Sequence, residues 1–324
     1  MAFRLHLIPH GTTWDFFKHQ WLTLGISIVA MIASVILTLV MGLNFGIDFR
    51  GGTTIRTESS QPMDVGAYRQ ALETLHLGDV SVTEVFDPNF RPDQHVGQVR
   101  IQAQGDTEVA DPALVSAMES ALKAVDPNVI FTQIESVGPK VSGELIWTAF
   151  LAVAAGSLGI GIYIWMRFEW QYAVGAVIGM IHDVMLTVGL FALLQLKFDL
   201  TTVAALLTIL GFSINDKVVV FDRLRENLQK YKTMPLRDVM NLAVNETLGR
   251  TLMTVATTLL ALIALLIFGG DVIRAFIIAM TWGVIVGTYS SVFMSKNIVL
   301  MLGLPRGDKP KSKKAASEFA NIDA

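Results

Sequence analysis

Polar and charged side chains stand at three places inside runs that are otherwise apolar. His182 and Asp183 adjoin in one run, Asn215, Asp216 and Lys217 in the next, and Arg250 opens the one after that. A charge at the middle of a membrane span costs at least about 2.5 kcal/mol, so each is a functional candidate. Asp216 is six residues before Asp222 and Arg250 is four after Glu246. At about 1.5 Å per residue they sit roughly 9 and 6 Å inside the same ends of neighbouring spans, close enough to meet. Thr247, Arg250, Thr254 and Thr257 share one helical face, and Thr208 and Ser213 accompany Asp216 on the other helix.

The chemistry this suggests is proton exchange. Desolvation favours a neutral aspartate, a nearby arginine favours a charged one, and hydroxyl stripes can hold water between them. The alternative is an ion pair that only fixes helix packing. His182 and Asp183 lie deeper, beside Gly175-xxx-Gly179, where two polar groups can satisfy neighbouring helices. Gly283-xxx-Gly287 reads as packing. Lys217 is about 100° around the helix from Asp216, so its expected partner is a group on another chain, or it snorkels to the membrane surface.

Other chemistries are excluded. With no cysteine, disulfides, thiolate metal sites and cysteine nucleophiles are absent. His76 and His95 stand at no ligand spacing, and no phosphate loop, nucleophile elbow or HExxH occurs. The expectation is no enzyme and no cofactor.

The elements that must position these residues follow from composition. Of 324 residues, 52% are hydrophobic and 16% charged, where a soluble domain carries about a quarter charged. Six apolar runs, 21–42, 145–166, 172–196, 200–221, 251–268 and one inside 272–302, are long enough to span. The first follows a polar start with Arg4 and Lys18. It is too long for a signal-peptide core and lacks an A-x-A site, so it reads as a retained anchor.

Between the first two runs, residues 44–144 hold seven basic and fifteen acidic side chains. Basic residues gather instead before the first span, at Arg167, from Arg223 to Arg237 and in the tail from Arg306. Those segments are cytoplasmic by the positive-inside rule, which places both termini inside and the acidic insertion outside. The expected organisation is a cytoplasmic N-terminus (1–20), a first span (21–42), an external domain (43–144), five further spans (145–302) with a cytoplasmic loop at 222–247, and a disordered basic tail (303–324). Within that loop, a break near Thr233 and Pro235 predicts a short amphipathic helix lying flat on the cytoplasmic surface.

The insertion reads as strand 53–58, helix 64–76, strand 80–86, a turn cluster DPNFRPD, strand 96–104, a helix opened by Asp111 and Pro112, and strand 129–137. This βαββαβ order is the split-βαβ pattern of ferredoxin-like domains. Such a sheet is a binding or mechanical module. The fold class is therefore a polytopic α-helical membrane protein of six transmembrane helices with an inserted α+β ferredoxin-like domain.

Six motifs carry a resemblance: FGIDFRGGT at 45–53, VGPKVSGEL at 137–145, RFEW at 167–170, HDV at 182–184, GFSINDKVVVFDRLREN at 211–227 and TLGRTLMTVATT at 247–258. In this order and spacing the sequence resembles the SecF branch of the SecD/SecF protein-export family, within the RND superfamily. The family generally has Thr or Ser where this chain has Lys217, often Gly at Ser142 and a basic residue at Gln171.

The resemblance implies a subunit of the bacterial inner membrane that joins SecD in a pseudo-symmetric twelve-helix unit. That unit would use the proton-motive force to draw unfolded preprotein out of the SecYEG channel on the periplasmic side, after SecA has driven it in, with YajC as a further partner and no nucleic acid. Asp216 and Arg250 fall on the family's intramembrane Asp and Arg, with a further Asp from SecD. His182, Asp183, Ser213, Asn215, Lys217 and Thr254 would support them. Gly46, Gly51 and Gly52 would let the chain turn from helix to strand, with Asp48 and Arg50 in a structural role at that hinge. The alternatives are half of an RND-type exporter of small molecules or lipids, and a passive translocon scaffold.

Overall fold

Long apolar runs with no breaker have one way to satisfy their backbone in hydrocarbon, which is to close every hydrogen bond within a helix. The computed structural model describes residues 12–75, 77, 80–85, 90–91, 93–101 and 112–305. His76, Asp111 and the basic residues from 306 onward lie outside the described residues.

In chain order the elements are α1 (Gln20–Met41), β1 (Asn44–Phe45), α2 (Ile47–Arg50), β2 (Gly52–Ser59), α3 (Val65–Glu73), β3 (Val80–Val85), β4 (His95–Ile101), α4 (Pro112–Val125), β5 (Ile130–Val137), α5 (Pro139–Arg167), α6 (Trp170–Leu194), β6 (Lys197–Phe198), α7 (Leu200–Lys230), α8 (Leu236–Phe268) and α9 (Asp271–Tyr289). A π-helical turn (Ser290–Met294) then leads into α10 (Ser295–Leu302). Six helices are long and apolar enough to cross a membrane, the last being Ile273–Leu302 taken together.

The spans form an inner and an outer layer. In α6, α7 and the last span, 44%, 50% and 56% of the apolar window is buried against protein, but only 17%, 6% and 17% in α1, α5 and α8. The inner three therefore bury His182, Asp183, Ser213, Asp216 and Lys217 against protein. Two apolar clusters grip this core from its ends. One gathers Phe168, Tyr172, Phe221, Leu224 and Val239, and the other Phe49, Phe191, Phe198, Leu206 and Met280.

One sequence expectation is overturned here. The segment after Pro235 is no separate helix lying flat on a surface. It is the first part of α8, which runs unbroken for 33 residues. Nothing after Pro235 breaks the helix, since Gly249 stays helical, and Val239, Met240, Ala243 and Val244 are buried against α7. The N-terminal arm fixes the same segment. Trp14 N–H donates to Asn245 Oδ1 (3.0 Å), Phe16 N–H to Asn241 Oδ1 (2.9 Å), and Arg237 pairs with Asp15 at 3.0 Å.

The inserted domain has the expected βαββαβ order. Its sheet runs β3-β4-β2-β5, with every neighbouring pair antiparallel. Thus β2 and β3 are parallel, with β4 between them. The core holds Ile55, Tyr68, Leu72, Val99, Met118 and Leu122 from the sheet and both helices. The Tyr68 hydroxyl donates to Asp126 Oδ2 at 3.2 Å, and burial together with that carboxylate pushes the phenol up.

Folding therefore favours the protonated phenol. Its contribution is complete below about pH 10, the ordinary tyrosine value, and is lost as pH rises towards the folded-state value. Tyr68 is the only tyrosine in residues 44–144, so tyrosinate absorbance reads it directly. Residues 53–137 expressed alone should melt cooperatively, lose stability in alkali, and titrate Tyr68 only on unfolding. Tyr68→Phe should cost about 1 kcal/mol at neutral pH and reduce the alkaline loss.

The join between domain and spans is built from the FGIDFRGGT segment. β1 pairs in parallel with β6, and Gly46 N–H donates to Phe198 O at 2.8 Å. Asp48 Oδ2 accepts from Leu200 N–H at 3.0 Å, at the first residue of α7. Gly51 has φ 71° and ψ 166°, and Gly52 has φ 121°. These are conformations that side-chain-bearing residues rarely adopt.

Candidate functional site

Where inner helices meet, the structure assembles a closed polar cluster around Asp183. Its Oδ2 accepts from Ser213 Oγ at 2.5 Å and Ser290 Oγ at 2.9 Å, and pairs with Lys217 Nζ at 3.2 Å. Its Oδ1 lies 3.0 Å from His182 Nδ1. Lys217 Nζ donates in addition to Ser213 Oγ, and to Ser290 Oγ at 3.0 Å. All three ammonium hydrogens therefore have acceptors. The Asp183 and Lys217 side chains are completely buried, and His182 stacks on Tyr289 with ring centroids 6.0 Å apart.

Lys217 thus neither snorkels nor reaches another chain, as the sequence suggested. Its partner is one helix away in the same chain. Two local features permit this. Gly179 has no side chain where the Lys217 stem and Ser295 pass, and a Cβ there would lie 2.6 Å from Lys217 Cε. The π-helical turn at Ser290–Met294 brings Ser290 onto the Asp183 face. π turns inside α-helices recur at functional sites.

Asp216 lies on α7 just beyond this cluster. It is 6% exposed, and its Oδ1 accepts one long hydrogen bond from Thr251 Oγ1, at 3.4 Å. The meeting with Arg250 expected from depth does not occur as an ion pair among the described residues. Thr247, Thr251 and Val255 form the face of α8 buried against the chain. Arg250 is turned one position away from that face and is exposed. Thr254 is half-buried and its hydroxyl donates back to Arg250 O at 3.0 Å, while Thr257 and Thr208 are exposed with hydroxyls also bonded to their own helices. Thr247 apart, the stripe turns towards the outside of this chain. Asn215 is likewise exposed.

The last span holds the residues not singled out from the sequence. Ser290 completes the Asp183 cluster, and Lys296 lies 1% exposed, its field reaching Asp216. The signal for Lys296 was available, because a lysine in an apolar run obeys the same rule as Asp216. No signal announces the π turn that orients Ser290. Among the described residues no group of three or more His, Asp or Glu could hold a metal ion.

With this geometry in view, comparison with known proteins is specific. Residues 117–304 match the family model described as protein export membrane protein SecD/SecF, C-terminal, and residues 36–63 match that of the SecD/SecF GG motif. A protein translocase subunit SecF from Cereibacter sphaeroides is 65% identical over 324 residues, covering all of both chains. One from Rhodobacter capsulatus is also 65% identical, over 99% of this chain and 98% of its own. One from Rickettsia bellii is 37% identical over 94% and 98%.

The crystal structure of SecDF, a translocon-associated membrane protein from Thermus thermophilus, superposes with a TM-score of 0.78 at 31% identity. The match covers 90% of this chain and 39% of that one, so the chain spans about two fifths of the SecDF length. The Asp48–Gly52 join falls in the second matched model, and the Asp183 cluster, Asp216 and Arg250 all fall in the first. The chain belongs to the SecD/SecF family of protein-export membrane proteins, as a member of its SecF branch.

Proposed function

We propose that this chain is a non-enzymatic accessory subunit of the Sec translocase, which joins a SecD-type subunit and uses the proton-motive force to help draw unfolded preprotein outward. The observation that supports it most is α7. One unbroken helix holds the buried Asp216 and, sixteen residues earlier, is tied by Asp48 to the segment leading into β2. A change of charge at Asp216 therefore has a direct route to the inserted domain. The exposed Arg250 stripe supports assembly with a second subunit, which would complete the site from outside this chain.

In this reading residues 43–144 form a periplasmic domain, ferredoxin-like in its strand order. The ends of α7 and α8 around residues 222–247, and both termini, are cytoplasmic in the bacterial inner membrane. SecYEG supplies the channel, SecA acts before this step, and YajC is an auxiliary partner.

The experiment is export of a preprotein into inverted membrane vesicles, with and without an imposed proton gradient, beside co-purification of the complex. A SecD-type partner should co-purify. Asp216→Asn and Arg250→Met should each lower gradient-dependent export at least tenfold while the complex still assembles. Recovery of gradient-dependent export in the double variant would show that the two charges serve packing alone.

A further inference from the structure

Lys296 is a buried cation with no acceptor. Its Nζ, with Ser295 Oγ and Asn297 Oδ1 from the same turn of α10, has no hydrogen-bond partner among the described residues. Buried polar atoms are nearly always paired, and Ser295 and Asn297 turn towards α6 and α1, so the orphan that asks for a charged neighbour is the Lys296 ammonium. An uncompensated ammonium in such a place is also costly enough that it must find a counter-charge or give up its proton.

The acidic group whose field acts on Lys296 is Asp216, with no hydrogen bond joining the two among the described residues. Lys296 lies seven residues before Gly303 and Asp216 six before Asp222, which puts both about 10 Å inside the same ends of their spans. The charges whose fields act on Lys296 are those of Asp216 and Lys217, both on α7. The charges acting on Asp216 are those of Lys296, Lys217 and the outward-turned Arg250 of α8, in falling order. From α6, Asp183 and His182 are engaged with each other, and Asp183 holds Lys217. α1 brings no titratable group within its span. Lys217 is therefore committed, Arg250 faces outward, and Lys296 is the cation left to Asp216 inside the chain.

We propose that Lys296 is the second member of the proton site at Asp216, a residue that exchanges a proton rather than a fixed counter-charge. This rests on the reading of Asp216 as the proton carrier. A proton arriving from the outer side forms an O–H bond on the Asp216 carboxylate. Lys296 then loses the charge that held its ammonium, and its N–H bond breaks to release a proton to water on the cytoplasmic side. The neutral acid passes its proton through an intervening water to the free amine, since the two groups are not hydrogen-bonded to each other, and the original charges return. One proton has crossed, and the pair carries the same net charge at the end as at the start.

The test uses the complete complex in inverted vesicles. Lys296→Arg keeps the charge but cannot release its proton. It should assemble to within about twofold of wild type and lose gradient-dependent export at least tenfold. Lys296→Gln should do the same, and it decides the question if the larger arginine prevents assembly. Difference infrared spectra of the purified complex give a second readout. The carboxyl band assigned by its absence in Asp216→Asn should have its pH midpoint moved upward by a unit or more in Lys296→Gln, because a neighbouring cation has gone.

Wild-type gradient-dependent export by an assembled Lys296→Arg or Lys296→Gln complex, or an unmoved carboxyl band, overturns the proposal. Gradient-dependent export that survives in Asp216→Asn overturns instead the proton role of Asp216 on which it rests.

Discussion

Lys217→Met should leave little assembled protein in the membrane. The substitution keeps the apolar stem but removes the ammonium paired with Asp183, whose side chain is fully buried. Breaking a buried pair by removing one partner costs about 3–5 kcal/mol, because the remaining charge is stranded. Every 1.4 kcal/mol is about tenfold in an equilibrium constant, so the folding equilibrium constant should fall on the order of a hundredfold or more, and abundance with it. Ser213 and Ser290 would still donate to Asp183, and those bonds should keep the loss near the lower figure.

Combining Lys217→Met with Asp183→Asn removes both charges and leaves the asparagine oxygen for the two serines, so abundance and melting temperature should largely recover. Quantitative immunoblots of membranes and thermal unfolding in detergent check both arms. Wild-type abundance in the single variant would show that this pair does not hold the three inner helices together.

Gly51→Val should uncouple the inserted domain from the spans without dismantling either. With φ 71° and ψ 166°, Gly51 occupies a region that is essentially closed to residues with a Cβ, and forcing one there costs about 1–3 kcal/mol. The chain can relieve that strain only by moving the start of β2 away from α2. The sheet core and the helix bundle each keep their own contacts. Export should fall at least tenfold, while partner co-purification and the domain's thermal transition stay near wild type. Loss of co-purification instead would make this segment part of the subunit interface.

What could be read from the sequence divides along a physical line. The six spans were legible because a run of apolar residues long enough to cross hydrocarbon has few other uses. The strand alternation and helical spacing of the insertion gave the observed βαββαβ order. Asp216 stood out by cost alone.

The partners of the buried charges were not legible, because a partner depends on how each helix is rotated about its axis. One residue of rotation decides that Thr251 faces Asp216 and Arg250 faces outward. The missing side chain at Gly179 decides that Lys217 turns towards α6. The continuity of α8 was hidden for a different reason. Pro235 marks where a helix starts, but whether the following turns lie flat or stand upright depends on Val239, Met240 and Val244 docking against α7.

The π-helical turn at Ser290–Met294 makes the last span a helix of two phases. A π turn accommodates one extra residue, and each residue of an α-helix advances about 100°. The polar stripe of α9 and that of α10 are therefore offset by about that angle from the line a uniform helix would draw. Deleting one residue from the turn would leave a span of nearly the same length and hydropathy. It would nevertheless rotate everything after it, turning Lys296 away from its present buried position and presenting a different side of α10 to the bundle. Length and hydropathy barely change with such a deletion, so the spacing of residues across this one turn, and not the composition of the span, keeps its two ends addressed to the same neighbours.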